Sequence, residues 1–220
     1  MANEPRLVEV RRNVLKRNDV AAGALRDSFR EAGVSVISLV SSPGSGKTAL
    51  LEKTLTGLQP QYRVAALVGD LATDNDAARL ARSKAAVRQI TTGTVCHLEA
   101  EMIRAGVEGW NLRELDFLFI ENVGNLVCPS SYDLGESLRL VLLSVTEGED
   151  KPLKYPTIFN SADVAVITKI DLAGAVEFDW PAVEANIQRV RPGMQVVKVS
   201  AKSGEGMPEW LFLLRSFRAG

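Results

Sequence analysis

The stretch Val34-Ser-Val-Ile-Ser-Leu-Val-Ser-Ser-Pro-Gly-Ser-Gly-Lys-Thr48 decides the reading of the chain. Val34 to Val40 is rich in β-branched and apolar residues and predicts a buried strand. A short Gly-containing loop follows, and Lys47 to Leu58 is a good helix-forming run. Strand, loop and helix in that order are the context a phosphate-binding loop needs. The backbone N–H groups of Gly44, Ser45, Gly46 and Lys47, continuing to Ala49, would face a polyphosphate, and the positive helix end adds to that pull. Lys47 would reach the β/γ-phosphates and the Thr48 hydroxyl would hold Mg²⁺. One position departs from G-x-x-x-x-G-K-[ST]: Ser41 stands where the first glycine would be.

Outward from this motif, strand and helix signals alternate. The predicted strands after the first are Arg63–Val68, Ala85–Thr91, Leu115–Ile120, Leu138–Val145, Asp163–Thr168 and Val196–Val199. Predicted helices run from Thr92 to about Ala105, over Pro181–Val190 and over Glu205–Phe217, and Thr146–Pro156 reads as a polar loop. Residues 7–32 read as one or two helices with Leu7, Val10, Val14 and Leu15 on one face and Asn18 or Asp19 as a cap. This alternation predicts an α/β fold, a mostly parallel sheet with helices on both faces. It predicts one domain over residues 1–220, with residues 1–33 as an N-terminal helical packing element.

At 220 residues, 46% hydrophobic and a net charge of −1, the composition is that of an ordinary globular protein. It offers no basic excess for nucleic acid, no apolar run of about 18 residues for a membrane span, and no signal-peptide core at the start. These features predict a cytoplasmic protein, in which two cysteines are thiols or metal ligands rather than a disulfide.

Acidic residues at strand ends are the next candidates, because ligands of open α/β sheets bind there. Asp70 is a candidate Mg²⁺ partner through water. Asp74 and Asp76 are candidates to cap the next helix or face the nucleotide. Glu121, followed by Gly124, resembles the loop that senses a γ-phosphate in nucleotide switches, with Gly124 offering a backbone N–H.

Thr168-Lys-Ile-Asp171 resembles the N/T-K-x-D element of GTPases. An Asp carboxylate there accepts from guanine N1–H and the exocyclic amine, whereas adenine would leave it unpaired, a mismatch worth about 10⁴-fold. The stem of Lys169 would cover a ring face, and Ser200-Ala201-Lys202 resembles the loop whose backbone touches O6. Thr168 stands in place of the commoner Asn.

The one histidine, His97, adjoins Cys96, one of two cysteines, and the other, Cys128, lies just beyond Gly124. Two thiolates and an imidazole make a soft metal site; this ligand set suits tetrahedral zinc and does not by itself choose between zinc and nickel.

Together S-S-P-G-S-G-K-T, G-D-L-A-T-D-N-D, T-T-G-T-V-C-H-L-E-A, E-N-V-G-N-L-V-C-P, K-Y-P-T-I-F, T-K-I-D-L and S-A-K-S-G-E-G resemble the HypB family of nickel-incorporation GTPases. The resemblance implies a P-loop NTPase fold of the SIMIBI type and slow hydrolysis of GTP to GDP, on the order of 10⁻⁴ to 10⁻² s⁻¹ for an unassisted GTPase. It implies Mg²⁺, a GTP-dependent homodimer, for which Lys154 of the K-Y-P segment is a candidate cross-dimer contact or else a solvated loop lysine, and Ni²⁺ or Zn²⁺ bound by Cys96, His97 and Cys128. It also implies a HypA-type nickel chaperone and the nickel–iron hydrogenase large-subunit precursor as partners. The N-terminal cysteine motif and His-rich tract of many members do not occur in this sequence, which predicts no nickel storage. Alternative functions are maturation of urease or a cobalamin enzyme, or a metal-sensing GTP-switched dimer that delivers nothing.

Overall fold

The computed structural model describes residues 6–70 and 75–219. The seven strands are β1 (Ser35–Ser41), β2 (Val64–Asp70), β3 (Ala86–Thr91), β4 (Phe117–Glu121), β5 (Leu138–Ser144), β6 (Val164–Thr168) and β7 (Gln195–Val199). They form one sheet in the order β3-β2-β4-β1-β5-β6-β7, and every pairing is parallel. All seven therefore end at one edge of the sheet, where the loops that follow them gather.

Helices α1 (Arg6–Ala32), α2 (Lys47–Leu58), α3 (Asn75–Leu80), α4 (Ala100–Gly106), α5 (Lys151–Lys154), α6 (Pro156–Ser161), α7 (Trp180–Val190) and α8 (Met207–Ala219) cover the faces. On one face, Leu50, Leu51 and Leu55 of α2 and Trp210 and Leu214 of α8 pack on Ile37, Leu39 and Phe119. On the other, α1 and α4 bring Leu25, Phe29 and Ile103 against Val36, Leu67 and Ile120. Beside them, α6 and α7 bring Phe159 and Ile187 against Val141, Leu143 and Ile167. Strands buried on both sides explain why β1, β4 and β5 read as near-continuous apolar runs. Each such side chain contributes about 1.5–3 kcal/mol when fully buried.

Three details differ from expectation. First, α1 is one continuous helix through Asn18 and Asp19, and Val14 is exposed. The side chains of Leu7 and Val10 lie outside the described residues. Asn18 caps α4 instead: its Oδ1 accepts from Ala100 N at 2.9 Å and its Nδ2 donates to Asp133 O at 2.8 Å. Second, α4 begins at Ala100, so Cys96 and His97 sit in the turn before it and not within a helix. Third, the segment 146–156 holds a short 3₁₀ turn and α5 rather than a loop throughout. Ser144 and Glu147 close a capping box at the start of that turn.

Candidate functional site

β1 delivers the chain into the phosphate loop. Gly44 and Gly46 have φ of 75° and 93°, which explains glycine at both. Ser41 needs no such freedom, because it is the last residue of the strand, paired with Leu142. Its hydroxyl instead accepts from Lys47 Nζ at 3.0 Å and from Ser45 Oγ. Helix α2 starts directly after Gly46, with no side-chain cap and no acidic residue in its first turn. Its first N–H groups and positive dipole end are thus left to an anion.

Lys47 is 8% exposed, and burial lowers its pKa against the attraction of Glu121, Asp76, Glu147 and Asp70. Glu121 is 2% exposed at the end of β4 and accepts from Thr48 Oγ1 at 2.6 Å through Oε1. Burial raises its pKa to about 7, outweighing Lys47 and the Thr48 hydrogen bond. Its Oε2 is buried without a hydrogen-bond partner. A carboxylate so placed beside the Thr48 hydroxyl and a lysine fits a hydrated Mg²⁺, whose waters would satisfy that oxygen. Asp70 ends the neighbouring β2, near enough for its charge to act on Lys47. Asp76 lies in the first turn of α3 and does not cap it; Asp74 lies outside the described residues. Gly124 touches the phosphate loop, since a Cβ there would stand 3.0 Å from Pro43 Cα.

The loops after β6 and β7 close a cavity of about 190 Å³ against the start of α2. Gly46, Ala49, Thr168, Lys169, Asp171, Ser200, Ala201 and Lys202 all line it. Asp171 Oδ1 accepts from Ser200 Oγ at 2.6 Å, which fixes the carboxylate. Ser200 Oγ in turn accepts from Lys202 N at 3.2 Å and Ser203 N at 3.0 Å. Lys169 adopts φ 57°, unusual for a long side chain, and its Nζ donates to Gly44 O at 2.7 Å. Thr168 Oγ1 donates to Ser45 O at 2.6 Å, so this residue fastens the phosphate loop rather than reaching a base edge.

Cys96, His97 and Cys128 converge: one donor atom of each lies within 4.8 Å of the others. The two sulfurs are 2.8 Å apart, with the Cys96 thiol donating to Cys128 Sγ. Two thiolates on one tetrahedral metal stand about 3.8 Å apart, given metal–sulfur bonds near 2.3 Å. A metal would therefore replace both thiol protons and spread the sulfurs by about 1 Å. Neither nitrogen of the buried His97 ring makes a hydrogen bond. Nε2 lies 3.4 Å from the Glu99 carboxylate, poorly aligned, and the ring stacks on Tyr132 at 3.9 Å between centroids. Burial lowers the His97 pKa against the pull of Glu99, which keeps the imidazole in the neutral form a ligand requires. The bond to Cys128, and then burial, raise the Cys96 thiol.

Two polar residues that the sequence did not single out frame this cluster. Asn122 Oδ1 accepts from Leu98 N at 3.0 Å and Val123 N at 2.9 Å. Asn125 donates to Cys96 O at 3.3 Å and accepts from Val127 N at 2.8 Å. Their signal was position alone: polar side chains directly beyond an apolar strand, in a loop that ends in a metal-ligand candidate.

A phosphate loop at the first strand, acidic residues at the ends of β2 and β4 and a cavity lined by the loops after β6 and β7 define a P-loop nucleotide-binding protein of the parallel α/β class. More particularly, residues 35–198 match the family model described as CobW/HypB/UreG, nucleotide-binding domain, and the chain belongs to that family. It is 46% identical over 209 residues to the hydrogenase maturation factor HypB of Azotobacter chroococcum mcd 1, covering 95% of this chain and 68% of that one. It is 44% identical to HypB of Escherichia coli (strain K12), covering 98% and 74%. The crystal structure of HypB from Helicobacter pylori in complex with nickel superposes with a TM-score of 0.86 at 41% identity, covering 92% of this chain and 96% of that one.

Proposed function

We propose that this protein is a GTP-hydrolysing metallochaperone that carries nickel, with zinc as the competing ion, toward the nickel–iron hydrogenase large subunit during its maturation. The observation that carries the reading is that one loop, residues 121–128, holds both Glu121 beside Thr48 and the Cys128 sulfur beside Cys96. The likeness to HypB proteins, one of them crystallised with nickel, supports it.

In this reading Asp171 selects guanine, with Lys169 across the ring and the backbone of Ser200, Ala201 and Lys202 along O6. Gly44, Ser45, Gly46, Lys47, Thr48 and Ala49 hold the phosphates, and Gly124 donates to the γ-phosphate. Thr48 holds Mg²⁺ directly, Asp70 and Glu121 through water. When bound, the ion would supply positive charge against the phosphates. Lys47 stabilises the charge that develops as water attacks. Turnover is slow, because no Gln or Arg finger was evident in the switch segments of the sequence. The whole chain acts as one domain in the cytoplasm, pairs with a second copy when GTP is bound, and works with a HypA-type chaperone and the hydrogenase precursor.

The test is transfer. Protein loaded with one Ni²⁺ is mixed with the large-subunit precursor and GTP, GDP or a non-hydrolysable analogue, and nickel in the precursor is measured. Faster transfer with GTP than with the analogue is expected. Equal transfer in all three conditions would mean that hydrolysis does not drive delivery, and no transfer in any of them would leave a metal-binding GTPase that does not deliver.

A further inference from the structure

We infer that Asn122 is a positioning residue that carries the nucleotide state to the metal ligands, with Asn125 as its second arm; this rests on the function proposed above. Asn122 is 2% exposed and directly follows Glu121, so it starts the loop that touches the phosphate site. Its backbone N–H donates to Leu39 O of β1 at 3.0 Å, which anchors it to the sheet. Its side-chain Oδ1 is shared by two donors, Val123 N on the way to Gly124, and Leu98 N, the residue after His97. One oxygen atom thus joins the nucleotide loop to the metal-ligand turn.

Leu98 is the receiving end. It is fully buried, and its side chain packs so closely on Gly69 that a Cβ there would stand 2.8 Å from its Cδ1. Gly69 precedes Asp70, so Leu98 is held between the ends of β2 and β4, the two strands that present acidic groups to the nucleotide. Asp70 adds a further tie, its carbonyl accepting from Thr92 N at 2.9 Å where the metal-ligand segment begins. Asn125 completes the frame by joining the Cys96 carbonyl to the amide before Cys128.

Gly124 already lies against Pro43, so a γ-phosphate drawing its N–H moves the Val123 peptide. With Val123 N and Leu98 N on the same oxygen, that movement lengthens or shortens the Leu98 bond. His97 and Cys96 then shift relative to Cys128. Metal affinity follows, because a three-ligand site needs its donors at set distances. In the absence of the Asn122 oxygen the two loops would still fold against the sheet, but their positions would no longer be tied.

Two measurements test this. In metal-free protein, hydrogen exchange at the Leu98 amide should differ between the GDP and GTP-analogue states; identical protection overturns the proposal. Zn²⁺ and Ni²⁺ titrations of the unaltered chain in both states should give affinities that differ by about 5–150-fold, the usual span of coupling between sites. Asn122→Ala should bring that ratio to within about twofold of unity, and Asn122→Asp, which keeps an acceptor for both amides, should retain it. A ratio preserved in Asn122→Ala, or lost in Asn122→Asp, overturns the bridge alone. A ratio of one in the unaltered chain means instead that nucleotide and metal are uncoupled, which overturns this proposal while the transfer assay still judges delivery.

Discussion

Thr48 donates its hydroxyl to the Glu121 carboxylate across 2.6 Å, joining the first turn of the phosphate-loop helix to the end of β4. This side-chain contact connects the phosphate-loop motif to the loop that ends at Cys128. Glu121 stays in this place although burial opposes its charge, and Lys47, itself desolvated, offsets only part of that cost.

The first prediction concerns this carboxylate. A Glu raised from its ordinary value to about 7 binds its proton more tightly in the folded state. In the nucleotide- and Mg²⁺-free protein, stability is therefore lost as pH climbs from about 4.5 through about 7, by roughly 3 kcal/mol at 1.36 kcal/mol per unit. Glu121→Gln removes this dependence while keeping an acceptor for Thr48. Urea unfolding at pH 5 and pH 8 should show the variant gaining on the parent by about that amount. An unchanged difference would place the Glu121 proton elsewhere.

Base selection gives the second. Ser200 Oγ donates to Asp171 Oδ1, so in Asp171→Asn the amide oxygen stays toward Ser200 and the NH₂ turns to the base. That donor suits the 2-oxo group of xanthine and opposes the 2-amino group of guanine. GTP affinity should fall by about 10–100-fold, as one buried donor left unpaired costs about 1–3 kcal/mol. Xanthosine triphosphate should bind better than to the parent. Fluorescent-nucleotide competition reads both, and equal ATP and GTP binding by the parent would sink the guanine assignment.

The sheet and the nucleotide loops were legible because each depends on short, local patterns. β1 and β4 are buried on both faces and so read as apolar runs, and Gly44 and Gly46 mark the turns that need positive φ. The start of α4 was misplaced because its cap comes from Asn18, 82 positions earlier in the chain. Asn122 and Asn125 escaped for the same reason: their partners Leu98 and Cys96 lie 24 and 29 residues away. Thr168, which stands in place of the commoner Asn, donates to Ser45 O across 123 positions. Long-range hydrogen bonds leave no periodicity in a sequence.

Pairing of two copies is the third prediction. Lys154 is exposed and bound to Asp150 at 2.6 Å, one turn back on the surface. Such a pair adds little to the stability of the monomer, so Lys154→Ala should fold as the parent does. Light scattering should give a doubled mass for the parent with a GTP analogue and Mg²⁺, and a monomer mass with GDP. The variant should need a higher protein concentration to pair. An unchanged mass in all states would remove GTP-driven dimerisation.

The last prediction separates the two thiols. The Cys96 thiol donates to Cys128 Sγ at 2.8 Å, and that bond raises the Cys96 thiol above its ordinary value. Both sulfurs must lose their protons before they can bind a metal, while His97 is already held neutral by burial. Apparent affinity for Zn²⁺ should thus rise with pH by up to about two decades per unit below the thiol range, one for each proton released. Cys128→Ala leaves a single thiol, freed of its partner, so the slope should fall to about one decade per unit, along with a large loss of affinity at pH 7. GTP binding should remain near that of the parent, since Ala changes no group placed on the nucleotide. The difference in metal affinity between nucleotide states should vanish as well, because the loop would no longer present a ligand. Calorimetric titrations at three pH values, in the GDP and GTP-analogue states, measure slope and ratio together. A slope of two retained in Cys128→Ala would mean that the metal binds without this sulfur.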